Sequence, residues 1–256
     1  MMMKRFFAAA LAALLFASQA AAQGLPFPGP GMPAKPVIAT PTSLGSTVLS
    51  ASARSSATHT TTAAIPAGSL AFVAVFAPFG SAQTISSISD GTNSYSSAVT
   101  NAYDGSTQLV AAIYYKENAS AVSSSATITV TFSGNTLAQP TVITAGYTTG
   151  IITSSSLDKT NSGTTSAGTA YASGSTGTLT QANEIAIGFI GEYNASVTIT
   201  EGSGFSTLNN PRQGSGSNFN ANLAYQIVSA TTALNYQPST SANTYGKVLI
   251  ATFKGY

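Results

Sequence analysis

The feature that most constrains the fold is a set of short runs that are apolar on both faces. They span residues 70–76, 109–115, 185–190 and 248–253. Runs of this length between turn signals are typical of strands that are covered on both faces. We therefore predict four central, fully buried β-strands.

The rest of the chain favours further strands joined by tight turns. Ser and Thr dominate from Thr42 onward, and these residues disfavour helix. Residues 128–132 alternate apolar and polar side chains, which predicts a strand with one wet face. Groups such as Pro66-Ala67-Gly68 supply the turns between strands. The pattern predicts an all-β fold, an antiparallel β-sandwich of jelly-roll-like type.

The chain also contains a pattern that is repeated in the same order. Residues 68–76 resemble 183–191, and residues 142–147 resemble 248–253. We interpret residues 42–153 and 178–256 as two similar halves that share one core, an internal duplication. Two alternatives stay open: a resemblance by composition alone, and two tandem sandwiches. The polar stretch between the halves is predicted to be a long surface loop or a polar edge strand.

The first residues have the three parts of a secretory signal peptide. Lys4 and Arg5 precede an apolar run, and small residues end at Ala22. The apolar run is too short for a transmembrane anchor. We predict a signal peptide over 1–22, a Pro-rich linker or arm over 23–41, and the β-sandwich domain over 42–256. The expected location is secreted, extracellular or at the cell surface of a bacterium, with the periplasm as the alternative.

Composition excludes several classes of function. The chain has no Cys, so disulfide frameworks, Cys-ligated zinc and thiol nucleophiles are excluded. Its nine Lys and Arg residues are scattered singly, which disfavours binding of nucleic acid through its phosphates. No stretch after the signal peptide is long and apolar enough to predict a membrane-spanning helix.

No catalytic constellation emerges from the remaining residues. His59 is the only histidine, and we expect it to be an exposed strand residue. A glycosidase is the enzymatic alternative, because Glu184 and Glu192 lie near the two ends of one predicted strand. Closely spaced acidic residues of the kind that glycoside cleavage needs are missing. We predict a non-enzymatic protein with no catalytic residue and no metal ligand.

Two turns carry the candidate ligand-binding residues. Tyr103 beside Asp104 is the tyrosine expected to be most exposed, and its ring could stack on a sugar. Asp90 and Asn93 lie in a second turn with oxygens that could bind Ca²⁺, but further acidic positions are lacking. We therefore interpret that turn as an Asx-type turn and predict no cofactor.

A further set of residues carries a resemblance to a known group of proteins. The residues are Ile65-Pro66-Ala67-Gly68-Ser69-Leu70, Ser89-Asp90-Gly91-Thr92-Asn93-Ser94-Tyr95, Leu157-Asp158-Lys159-Thr160 and Ala251-Thr252-Phe253-Lys254. The set resembles Ser/Thr-rich β-sandwich proteins found among bacterial exported proteins and in phage structural regions. The resemblance implies a fold and transfers no catalytic residue. The signal peptide departs from the phage examples, whose virion proteins assemble in the cytoplasm.

These observations predict a non-enzymatic exported β-sandwich protein that acts in surface recognition or extracellular assembly. Two alternatives are a carbohydrate-binding module and a phage tail or virion surface protein. The expected partner is a glycan or a protein at a cell surface, or a second copy of the chain.

Overall fold

Fourteen β-strands make up the regular structure of the computed structural model, which describes residues 35–50, 52–194, 196–211 and 219–256. The predicted signal peptide and residues 23–34 of the predicted arm lie outside the described residues. The strands are β1 Thr42–Leu49, β2 Ser56–Thr60, β3 Leu70–Pro78, β4 Ile85–Ser89, β5 Ser96–Asn101, β6 Leu109–Lys116, β7 Thr127–Phe132, β8 Thr141–Thr148, β9 Leu157–Ala170, β10 Glu184–Glu192, β11 Ile199–Thr200, β12 Ser206–Asn209, β13 Asn220–Val228 and β14 Ser239–Lys254. Across these ranges the structure has no helix that could span a membrane.

The strands form three antiparallel sheets. The first inner sheet has the order β1-β8-β3-β6-β5. The second inner sheet has the order β11-β14-β10-β13-β12, and β9 pairs with β14 beside this path. A smaller outer sheet has the order β2-β7-β4. The predicted all-β, antiparallel sandwich is confirmed.

The two inner sheets pack face to face around the central core. Alternate residues of β3, among them Phe72 and Phe76, meet residues of β10 such as Phe189. The ring of Phe76 contacts Phe219 edge to face, with 5.3 Å between centroids. Gly191 on β10 lies against the face of Phe76, where a Cβ atom would overlap the ring. The two sheets therefore approach each other closely at this position.

Each inner sheet is also covered on its other face. The outer sheet packs on the first inner sheet through a second core that includes Val73, Ile128 and Val130. Tyr171, Leu179 and Tyr236, which lie outside the strands, cover the second inner sheet. Every residue of β3 and of β10 is buried as a result. The prediction of central strands with two apolar faces is confirmed.

Strand β9 is the polar segment that separates the two predicted halves. It runs for 14 residues along β14 and carries mostly hydroxyl and amide side chains. The alternative of a polar edge strand, rather than a long loop, is therefore the one that forms.

The strand orders of the two inner sheets correspond. Strand β3 lies between β8 and β6, as β10 lies between β14 and β13, and β5 and β12 form the next strand outward. Two of these pairs, β3 with β10 and β8 with β14, contain the segments that resemble each other in sequence. An internal duplication would give this correspondence, and it stays a prediction.

The last residues of the predicted arm contact the sandwich. Ile38 is buried, and the backbone N–H of Ala39 donates to the carbonyl of Thr149. The hydroxyl of Thr148 donates to the carbonyl of Ala39. The compact unit of the described chain accordingly begins at Pro36, a few residues before the first strand.

Candidate functional site

Asp90 and Asn93 are buried, and their turn satisfies its own polar groups. Asp90 Oδ1 accepts the backbone N–H groups of Thr92 and Asn93, at 2.9 and 2.6 Å. Its Oδ2 accepts the Asn93 side-chain amide and the Tyr95 hydroxyl, both at 3.0 Å. The side-chain amide of Asn93 also donates to the carbonyl of Ser120 and accepts the backbone N–H of Ser120. These contacts make the turn an Asx turn that is anchored in the fold.

Tyr103 and Asp104 lie at the other candidate turn, and both are half-buried. Tyr103 packs against the edge of the core under the outer sheet. Asp104 forms an ion pair with Lys247 and accepts hydrogen bonds from Ser106 and Thr107. Burial alone would raise the pKa of Asp104, but the hydrogen bonds from Lys247, Ser106 and Thr107 outweigh it and hold that pKa below its ordinary value.

Lys247 is the residue of this site that the sequence did not reveal. Its side chain is 1% exposed, although it carries a charge. Besides Asp104, its ammonium donates to Asn101 Oδ1 at 2.9 Å and to the carbonyl of Ala102 at 3.1 Å. It also lies 3.3 Å from the hydroxyl of Thr164. The Lys247 site therefore connects β5 of the first inner sheet with β14 and β9 of the second.

Glu184 and Glu192, the glycosidase candidates, lie at opposite ends of strand β10 and are both fully buried. A nine-residue strand separates its end residues by roughly 27 Å, at about 3.4 Å per residue. Carboxyl groups that cleave a glycosidic bond together lie roughly 5–10 Å apart. The two glutamates therefore cannot act on one glycosidic bond.

Glu184 has an unusual environment for a carboxyl group. Neither of its carboxyl oxygens has a hydrogen-bond partner among the described residues. Burial raises the pKa of Glu184 to about 7, and the nearby carboxylate of Asp158 adds to the effect. Asp158 itself accepts two hydrogen bonds from Thr180, each 2.8 Å long.

The remaining acidic side chains are also engaged inside the protein. Glu201 accepts hydrogen bonds from the hydroxyl of Tyr236, from Thr207 at 2.9 Å and from Asn222 at 2.8 Å. Glu192 accepts the hydroxyl of Thr244 at 3.0 Å. Each of the seven acidic residues of the chain is thus fully buried or hydrogen-bonded to the chain; they are Asp90, Asp104, Glu117, Asp158, Glu184, Glu192 and Glu201.

The expectation of an exposed His59 is wrong. Its side chain is 3% exposed, because it points from β2 toward the first inner sheet rather than to solvent. Nε2 lies 2.9 Å from the carbonyl of Leu44, and Nδ1 lies 2.8 Å from the hydroxyl of Thr47. Burial lowers the pKa of His59, although the contact with Leu44 opposes it. His59 therefore connects β2 with β1 through both of its ring nitrogens.

Comparison of the chain with models of protein families, with curated proteins and with solved structures found no match.

Proposed function

We propose that the chain is a non-enzymatic exported protein that acts in surface recognition or extracellular assembly. The observation that supports this proposal best is that each of the seven carboxylates is fully buried or hydrogen-bonded within the chain. The outer surface of the described residues therefore carries few charges, chiefly those of Lys35, Arg54, Lys116, Lys159 and Lys254, among many hydroxyl groups, amides and strand backbone groups. Such a surface suits contact with an uncharged partner.

The strand edges are the part of this surface best suited to association. Strands β5 and β12 each pair with a single neighbour among the described strands. Most of their residues are Ser, Thr or Asn, and several are exposed. An exposed strand edge carries backbone donors and acceptors that another strand can bind. Charges that would repel a second copy are few, since the chain has a formal net charge of +2 with its leader.

Self-association is the form of the proposal that can be measured directly. We expect the mature chain, from residue 23, to show a solution mass that rises above the monomer with concentration in light scattering. A deletion of residues 23–35 leaves Ile38 and its contacts in place. If the arm contributes to the assembly, this deletion reduces the measured mass while the circular dichroism spectrum stays unchanged.

A monomer at every concentration, with and without the arm, would contradict the assembly proposal. A glycan array then tests the alternative of a carbohydrate-binding module, for which Tyr103 is the candidate stacking residue. Binding that Tyr103→Ala abolishes without unfolding the protein would establish that alternative.

A further inference from the structure

The Lys247 site places a buried amine beside a carboxamide and a carboxylate. Lys247 Nζ lies 2.9 Å from Asn101 Oδ1 and in direct contact with Asp104 Oδ2. The side chain of Lys247 is 1% exposed, whereas that of Asp104 is 33% exposed. A buried amine with a carboxylate on one side has a nearby acceptor for its proton, and loss of that proton makes the amine a nucleophile.

The carboxamide of Asn101 is held in position by contacts with two strands, β9 and β14. Its Nδ2 donates to the carbonyl of Gly163 at 2.8 Å. Its Oδ1 accepts the Lys247 ammonium and lies 3.3 Å from the hydroxyl of Thr164. The carbonyl carbon of the amide is one bond from Oδ1, so it lies within reach of Nζ. Fixing two reacting groups in this way replaces most of the entropy that a bimolecular encounter would cost.

We propose that Lys247 and Asn101 form an intramolecular isopeptide bond, with Asp104 as the residue that transfers the proton. The reaction needs no external reagent. It joins β14 of the second inner sheet to the end of β5 in the first inner sheet.

The proposed reaction begins with transfer of a proton from the Lys247 ammonium to Asp104. This step is uphill, because the ion pair and the hydrogen bonds from Ser106 and Thr107 hold the pKa of Asp104 below its ordinary value, so we expect the bond to form slowly. The electron pair of Nζ then forms a bond to Cγ of Asn101, and the Thr164 hydroxyl stabilises the charge that develops on Oδ1. The bond from Cγ to Nδ2 breaks. The leaving nitrogen takes one proton from Nζ and one from Asp104, so it departs as ammonium and Asp104 is again a carboxylate. Nζ keeps a single hydrogen, as in any amide.

The proposed bond would stabilise the fold because it joins two residues that are far apart in the sequence. Asn101 and Lys247 are 146 positions apart, so a covalent bond between them would close most of the sandwich into one loop. Closing a long loop restricts the unfolded chain, as a disulfide does, and this chain has no Cys. On the opposite side of the sandwich, Asn209 of β12 donates to the carbonyls of Gly45 and Ala145, at 3.3 and 3.0 Å. That side is therefore linked by side-chain hydrogen bonds, together with the packing of Leu208 against the central core.

Mass spectrometry of the mature protein tests the proposal. We expect a proteolytic fragment in which Lys247 is joined to Asn101, with a mass that is lower by one ammonia molecule than the sum of the two peptides. An N-terminal glutamine can also lose ammonia by cyclising, which lowers the mass of the intact protein by the same amount. The joined fragment, and not the intact mass, is therefore the measurement that tests the proposal. Two separate, unmodified peptides would overturn the proposal. A joined fragment that has lost water would assign the bond to Asp104 and overturn the role of Asn101.

Variants separate the proposed bond from unrelated losses of ammonia. Lys247→Arg and Asn101→Ala should each abolish the joined fragment, and Asp104→Ala should slow its formation severely. Asn209→Ala, on the opposite side, is the matched control and should retain the joined fragment. Circular dichroism shows whether each variant is folded. A loss of ammonia that persists in Lys247→Arg comes from elsewhere in the chain and contradicts the proposal.

Discussion

Glu184 should make the protein less stable as the pH rises toward neutrality. Its carboxyl group is fully buried at the start of β10, without a hydrogen-bond partner among the described residues. Burial, with the carboxylate of Asp158 close by, raises its pKa from an ordinary 4.5 to about 7. The folded state therefore holds a proton on Glu184 that the unfolded state has already released.

The size of the effect follows from the two pKa values. The proton on Glu184 makes its full contribution to the free energy of unfolding below pH 4.5. That contribution decreases as the pH rises and is lost above a pH of about 7. The difference between 4.5 and about 7 corresponds to about 3 kcal/mol. Asp158 is partly open to solvent, which weakens the effect of its charge on Glu184. We therefore expect the free energy of unfolding to fall by roughly 2 to 3 kcal/mol over this pH range.

Glu184→Gln tests this reasoning, because glutamine is neutral at every pH and has nearly the same shape. In urea unfolding, we expect the variant to match the parent at about pH 4 and to exceed it by roughly 2 to 3 kcal/mol at about pH 8. The matched control is Glu117→Gln. Glu117 accepts the N–H groups of Ser155 and Ser156 at 3.1 and 2.7 Å, so this variant should instead lose stability at the higher pH. An equal effect of Glu184→Gln at both pH values would refute the reasoning.

Three further predictions follow from the same structure. Gly191→Ala should cost about 1–3 kcal/mol in urea unfolding, since the new methyl group overlaps Phe76; an unchanged midpoint would show that the sheets can separate at no cost. Asp90→Ala should cost about 3 kcal/mol, because it leaves the buried Tyr95 hydroxyl and two turn N–H groups without an acceptor, and a neutral effect would contradict the anchoring role of the turn. His59 should titrate below its ordinary 6.5 in an NMR pH series, and a midpoint at or above that value would argue against its burial.

The central strands could be predicted from the sequence because their signal is local. A short run that is apolar on both faces has to be covered on both, and the runs in β3, β10 and β14 are buried throughout. The run in β6 is buried as far as Tyr114, while Tyr115 is half-buried. The polar stretch after residue 154 also has a local signal, because its low content of apolar residues predicts a surface segment, either an edge strand or a loop. Only the pairing with β14 decides between the two.

The environment of individual polar residues could not be predicted in the same way. Strand β2 is polar at nearly every position, so nothing in its pattern marks the face on which His59 is buried. Lys247 stands directly before an apolar run, but its partners Asn101 and Asp104 are more than a hundred residues away in sequence. The Asx turn at Asp90 was predictable from its residues, whereas its burial depends on Tyr95 and Ser120.

We propose that this protein acts through a surface of few charges, made mainly of hydroxyl groups, amides and strand edges, while its carboxylates are buried or hydrogen-bonded within the chain. Light scattering of the mature chain over a concentration series, at low and at high salt, tests that claim most directly. We expect association that persists at high salt, because contacts between uncharged groups are not screened. A protein that is monomeric throughout, or whose association disappears with added salt, would contradict it.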